Sequence, residues 1–194
     1  LTAKDGIDQL AFYRELLVHL SNEGKGRVGE IYANAATSIR HPKNLATLVK
    51  DIDELEWYSA RDEGLGDAYE GLLEKNAAEK KSGAGQYFTP RPLIETMVAL
   101  VQPKAGEVIQ DPAAGTGGFL INAYRHISLA TNDLSTLPEA MIDFVKKQAF
   151  VGVELVQDTH RLLLMNAMLH KIEGRLSLGD ALSPLGANLP KADV

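Results

Sequence analysis

Residues 108–119, Val-Ile-Gln-Asp-Pro-Ala-Ala-Gly-Thr-Gly-Gly-Phe, constrain the fold more than any other stretch of the chain. Val108 and Ile109 read as the end of a buried strand, which Asp111-Pro112 stops. Gly115, Gly117 and Gly118 then form a tight turn into a helix that starts near Phe119. Strand, glycine turn and helix N-terminus in that order make a nucleotide-type pocket. A residue without a Cβ lets a ligand lie against backbone N–H groups.

The pattern repeats toward the C-terminus. Phe119, Leu120, Ala123 and Ile127 mark the helix after the turn. Residues 131–138 are a polar, turn-rich insertion, and a short helical stretch runs through Phe144. Residues 150–155, Phe-Val-Gly-Val-Glu-Leu, read as a second buried strand. Asp158 is the expected cap of a helix whose inner face is Leu162, Met165, Leu169 and Ile172. A third strand spans 175–178 and closes on Gly179-Asp180, with 182–190 expected as loop. Two successive βαβ units require a parallel sheet with right-handed crossovers.

Asp111, Glu154 and Asp180 each stand where one of these strands ends. In an open α/β sheet that edge is where ligands bind. One carboxylate there can be an ordinary cap; three at successive strand ends around a glycine turn point to a site. An adenosine fits their chemistry. Glu154 could accept both ribose hydroxyls, Asp180 the adenine amino group, and Asp111 could orient the loop or accept from an ammonium group. The glycine spacing is not Gly-x-Gly-x-x-Gly. Glu154 also lies more than twice as far beyond Asp111 as the roughly 20 residues of the dinucleotide fingerprint. No Gly-Lys-Ser/Thr follows the turn, which excludes a P-loop. An adenosine ligand without a pyrophosphate remains, and S-adenosylmethionine is the common one.

The N-terminal part is different in kind. Ile7, Leu10, Ala11, Leu17 and Val18 suggest one helix face, and Val28, Ile31, Tyr32, Ala35 and Ile39 a second. After the break at His41-Pro42, Leu45, Leu48, Val49, Ile52 and Leu55 suggest a third helix, on to Trp57. Gly64 and Gly66 punctuate, and Asp67 with Glu70 resembles a capping box ahead of Leu72 and Leu73. No chemistry is expected here, only a helical bundle or cap. Residues 79–85 are polar and glycine-rich and read as a hinge. After Gln86-Tyr87-Phe88, Thr89 fits an N-cap and Pro90 the first helical position, ahead of an apolar face of Leu93, Ile94, Met97, Val98 and Val101. The two aromatics suit either packing or a ligand wall.

The bulk numbers narrow the function classes. An apolar content of 45% in 194 residues supports a real core. A formal charge of -6 advertises no nucleic-acid or membrane surface, and no apolar run reaches membrane-spanning length. There is no cysteine, and the five histidines lack zinc-ligand spacing, so no metal site is expected. The chain opens on Leu1 and stops at Lys-Ala-Asp-Val with strand character beginning, so it reads as part of a longer protein.

Asp-Pro-Ala-Ala-Gly-Thr-Gly-Gly-Phe at 111–119 resembles motif I of the N6-adenine DNA methyltransferases. Gly-Gln-Tyr-Phe-Thr-Pro at 85–90 resembles their motif X, Val153-Glu154-Leu155 motif II and Gly179-Asp180 motif III. Together with the helical N-terminal part and Tyr69-Glu70-Gly71-Leu72-Leu73, they are similar to the modification (M) subunit of type I restriction-modification systems. The resemblance implies a Rossmann-like methyltransferase sheet, partial here at its first three parallel strands, over residues 81–194, behind a helical region over 1–80. It implies S-adenosylmethionine held by Gln86, Tyr87, Phe88, Thr89, Pro90, Arg91, Asp111, Gly115, Thr116, Gly117, Gly118, Glu154 and Asp180. The implied partners are DNA, a specificity (S) subunit, a second M subunit and restriction (R) subunits, in the cytoplasm of a bacterium or archaeon. The family's catalytic Asn-Pro-Pro-aromatic motif, whose Asn and Pro carbonyl engage the amino group of a flipped adenine, does not occur in the chain. No catalytic residue is therefore expected within it. A methyltransferase of another substrate class, or a non-catalytic assembly subunit, is the competing expectation.

Overall fold

The computed structural model describes residues 1–54, Gly71 and 89–194. The expectations on Leu55, Trp57, Gly64, Gly66, Asp67, Glu70, Leu72, Leu73, the 79–85 hinge, Gln86, Tyr87 and Phe88 lie outside the described residues. The chain divides into two compact units, Leu1–Leu65 and Gly66–Val194.

The first unit is helical. Helix α1 (Gly6–Glu23) packs on both α2 (Arg27–Tyr32) and α3 (Pro42–Asp53). Pro42 sits in the first turn of α3, where its missing N–H costs nothing. Leu10, Leu17, Ile31 and Leu45 are buried, but Ile7, Val18, Leu48 and Ile52 are exposed. Helix α2 also stops at Tyr32, short of the expected Ile39, because the backbone turns left-handed at Asn34 (φ 56°). Periodicity thus located these helices but overstated how much apolar surface they bury.

The second unit is the α/β sheet. Its elements are α4 (Arg91–Val101), β1 (Ile109–Asp111), α5 (Gly118–Ala130), α6 (Glu139–Lys147), β2 (Phe150–Glu154), α7 (Gln157–Leu169), β3 (Arg175–Leu178) and α8 (Pro184–Ala187). The strands lie in the order β1-β2-β3 and all pairs are parallel, with Ile109 opposite Phe150 and Gly152 opposite Leu176. β2 is the central, dry strand: Phe150, Val151, Gly152 and Val153 are all buried, as a strand covered on both faces must be. Helix α5 packs on β1 and β2, α7 on β2 and β3, and α4 on α5. The core is built from Leu120, Ile121, Ile127, Val145, Phe150, Leu163, Leu164 and Ile172, with Tyr124 edge-on to Phe150 at 5.9 Å.

Several local expectations shift. Helix α4 starts one residue late: Pro90, not Thr89, is its N-cap, and Pro92 occupies the first turn. Asp158 lies in the first turn of α7 and the cap is Val156. The inner face of α7 is Leu163, Leu164, Asn166 and Ala167, not Leu162, Met165 and Leu169; Ile172 is buried as expected. The run 162–165, Leu-Leu-Leu-Met, is apolar all round, so its periodicity selects no face. Residues 182–190 contain the single turn α8, where Ser183 Oγ accepts from Leu185 N–H at 3.2 Å ahead of Pro184.

The free edge of β1 is paired too. Gln110 N–H donates to the Val194 carbonyl at 2.9 Å and Val194 N–H to the Val108 carbonyl at 3.2 Å, the pattern of a parallel bridge opposite Ile109. The Asp193 carboxylate accepts from Val108 N–H at 2.8 Å. The chain therefore winds outward from β1 to β3 and then returns to the other side of β1. That reversal makes β1 the topological switch point of the sheet.

Candidate cofactor site

The carboxyl ends of β1, β2 and β3 carry Asp111, Glu154 and Asp180, and one local device recurs at all three. Asp111 Oδ1 accepts from Ala113 N–H at 3.1 Å, Glu154 Oε1 from Val156 N–H at 2.8 Å and Asp180 Oδ1 from Leu182 N–H at 2.8 Å. Each carboxylate thus turns its own chain two residues on, as Asx-type turns do. This is the capping role that a strand-end acid can always play. It uses one oxygen of each group, and an ionised carboxylate has about four acceptor positions.

Glu154 goes further. Its Oε2 accepts from Gly115 N–H at 3.0 Å, a bond spanning 39 residues that ties the glycine turn to β2. Ala114 N–H donates to the Val153 carbonyl at 2.9 Å and draws the same loop onto the same strand. Gly115 (φ 56°) and Gly117 (φ 90°) are left-handed, where other residues are strained. A Cβ on Gly117 would stand 2.7 Å from Leu163 Cδ1 of α7, and one on Gly118 2.8 Å from Ile94 Cδ1 of α4. These two glycines serve helix packing against the turn. Gly115 differs: nothing lies within 4 Å of where its Cβ would be. Open space beside a backbone held by a carboxylate is a cradle for a ligand.

Asp111 is half-buried at the switch point. Burial pushes its carboxyl above the ordinary value of 3.8, and the neighbouring Glu154 charge adds to the rise, against the Ala113 N–H that lowers it. A cationic group entering the crevice would relieve both charges. Among the described residues no group of three metal-ligating side chains occurs, and no helix is long and apolar enough to cross a membrane. A depression of about 440 Å³ elsewhere is lined by residues of α1 alone, such as Arg14, Val18 and His19. One convex helix makes a poor binding wall, and the strand-end crevice is the candidate site.

The N-6 DNA methylase family matches over residues 60–194, which takes in the whole sheet, the glycine turn and all three carboxylates. The chain belongs to that family. This N-6 DNA methylase chain is 52% identical over 205 aligned positions to the StySPI methylase subunit of a type I restriction enzyme from Salmonella potsdam. It is 50% identical to the corresponding EcoKI subunit of Escherichia coli K12. Both alignments cover all of this chain and 39% of the relative. The crystal structure of the EcoKI M protein superposes with a TM-score of 0.54 at 42% identity, over 97% of this chain and 35% of that one. The methyltransferase subunit of a type I restriction-modification system from Streptococcus thermophilus shares the fold at a TM-score of 0.66 and 22% identity, over 91% of this chain and 36% of that one.

Within this methylase fold the sequence-expected residues fall into three groups. Asp111, Gly115, Thr116, Gly117, Gly118 and Glu154 stand around the β1–α5 turn, which Glu154 ties to β2 through Gly115 N–H. Asp180 stands at the end of β3, exposed, with only its own turn to hold. Thr89, Pro90 and Arg91 enter α4, where Arg91 Nε donates to Glu95 at 3.1 Å. Sequence reasoning gave no site role to three residues. Leu155, expected inside the buried second strand, lies one residue past its end and is 66% exposed, and Leu182, two residues beyond Asp180, is 97% exposed; exposure is decided by the fold and carries no sequence signal. Asn166 donates from Nδ2 to the Thr116 carbonyl at 2.9 Å, and no local pattern announces it.

Proposed function

We propose that the chain is the cofactor-binding part of a modification subunit of a type I restriction-modification system. In this reading the complete protein methylates N6 of adenine in DNA, with S-adenosylmethionine as donor. The observation that carries the reading is Glu154, fixed between the Gly115 and Val156 N–H groups beside the open space at Gly115. The relatives' names, each a methylase subunit of a restriction enzyme, support it.

The residues present suit that cofactor. Glu154 keeps acceptor positions on both oxygens for the two ribose hydroxyls, already aimed by its backbone bonds. Asp180 retains Oδ2 for an amino group on the base, and Leu155 and Leu182 offer apolar walls for a flat ring. Asp111 orients the loop through Ala113 and can face a positively charged group. Gln86, Tyr87, Phe88, Thr89, Pro90 and Arg91 would close the other side of the pocket. When bound, S-adenosylmethionine supplies a methyl carbon on a sulfonium centre, open to attack by an amine. This chain's residues bind and orient it, and none of them is assigned to the amine. Base recognition and the Asn-Pro-Pro-aromatic chemistry belong in this reading to other segments and partners: DNA, a specificity subunit, a second modification subunit and restriction subunits.

The test is titration calorimetry of S-adenosylmethionine with the complete protein and its Glu154→Ala variant. The expected loss is about 1–3 kcal/mol, the weight of hydrogen bonds to a charged group. A complete protein that fails to bind, even with a specificity subunit present, sinks the reading and leaves a non-catalytic assembly subunit.

A further inference from the structure

We infer that Asn166 is a positioning residue for the cofactor turn, holding the Thr116–Gly117 peptide so that the remaining N–H donors of the turn face the ligand. The inference rests on the cofactor reading above. Asn166 projects from α7 and is 1% exposed, among the buried Leu163, Leu164 and Ala167. Its Nδ2 donates to the Thr116 carbonyl across 50 residues of chain, while its Oδ1 is buried without a hydrogen-bond partner. A buried, unpaired carbonyl oxygen is costly, and an apolar side chain on this face would avoid the cost. Packing therefore does not account for an amide here. The grip on the turn does.

The geometry shows what the grip achieves. The Thr116–Gly117 peptide is held at both ends, its carbonyl by Asn166 and its N–H by the Ala114 carbonyl at 2.8 Å. Gly115 N–H is taken by Glu154. The donors left over are Thr116 N–H and the first-turn N–H groups of α5, at Gly118, Phe119 and Leu120, which no helix can satisfy internally. The Thr116–Gly117 peptide joins the plane that carries Thr116 N–H to the plane that carries Gly118 N–H, and left-handed glycines, Gly115 and Gly117, flank Thr116. Such a plane can flip unless something holds it. Asn166 is the side chain that holds it, from a helix anchored in the core.

Three measurements on the complete protein test this. First, amide hydrogen exchange without ligand compares the unsubstituted protein with Asn166→Leu. The hydrogen-bonded amides of Gly115 and Gly117 should exchange faster in the variant while the 150–153 amides of the central strand stay unchanged. Second, S-adenosylmethionine should bind Asn166→Leu about tenfold more weakly, the weight of one hydrogen bond. Third, Asn166→Asp should bind poorly at about pH 8 and recover toward the unsubstituted protein at about pH 5, since burial raises a carboxyl's pKa and the protonated group can again donate to the Thr116 carbonyl. A merely structural role predicts that the folded fraction, read by circular dichroism, falls at about pH 8 in step with the binding. Unchanged exchange with binding within about twofold overturns the inference. So does a pH-independent deficit in Asn166→Asp, which decides the matter if Asn166→Leu does not fold. Failure of the unsubstituted protein to bind overturns the cofactor reading instead, and the ligand-free exchange still reports whether Asn166 holds the turn.

Discussion

The two sides of the crevice use the same residue type and are built differently. On the glycine-turn side, side chains reach across the fold: Glu154 to Gly115 over 39 residues and Asn166 to Thr116 over 50. At Asp180 the side-chain bonds stay within three residues: Asp180 with Leu182, and Ser183 Oγ donating to the Asp180 carbonyl at 2.6 Å. One side is set by the tertiary structure before any ligand arrives, so ordering it costs little on binding. The other is a turn that can adjust. A ligand with a rigid ribose and a variable base contact would be served by that division.

The largest expected effect comes from the packed side. Gly117→Ala puts a Cβ against Leu163 at a left-handed φ of 90°. It should destabilise the fold by about 2–4 kcal/mol, combining overpacking and backbone strain. Urea denaturation measures this, and a loss under about 0.5 kcal/mol, the range of ordinary surface changes, would break the claim that this side is preset.

A pair of variants at the two carboxylates tests the contrast directly. Asp180→Asn keeps an acceptor for Leu182 N–H, so stability should stay within about 0.5 kcal/mol, whereas Glu154→Ala strands two N–H groups and should cost about 1–3 kcal/mol. In the proposed function both weaken S-adenosylmethionine binding, Glu154→Ala more. Equal losses of stability would erase the distinction between the two sides.

The smallest effect belongs to Asp111. Its folded pKa is raised, so the folded chain holds the proton more tightly than the unfolded chain does. Ionisation of Asp111 therefore costs stability, absent below the unfolded value near 3.8 and incurred as pH rises through the folded value. Asp111→Asn should raise Tm slightly at neutral pH, with a gain that fades on acidification. A gain that grows as pH falls would reverse the sign of this argument.

Much of the sheet was legible because its signals are local. The β3 bounds follow from Arg175-Leu176-Ser177-Leu178 closed by Gly179, and the apolar run 150–153 marks the central strand. The glycine turn and the three strand-end carboxylates are equally local, since each carboxylate bonds an N–H two residues on. The helical unit was less legible. Ile7, Val18, Leu48 and Ile52 fit a periodic face yet are exposed, because periodicity states which residues could be buried and not whether anything covers them.

Local sequence therefore dictated the order of strand, turn and helix, the parallel sheet and the positions of the acids. These depend on φ preferences, side-chain alternation and bonds across two residues. Long-range contacts settled the rest. They rotated α7 so that Leu163, Leu164 and Asn166 face inward, ran Asp193 and Val194 beside β1, and left open space at Gly115 while filling that at Gly117. Each outcome depends on which distant atoms meet, and an apolar run such as 162–165, or one asparagine among leucines, has no local signal for that. The partner that makes Asn166 a brace lies 50 residues away, on a carbonyl that every residue possesses.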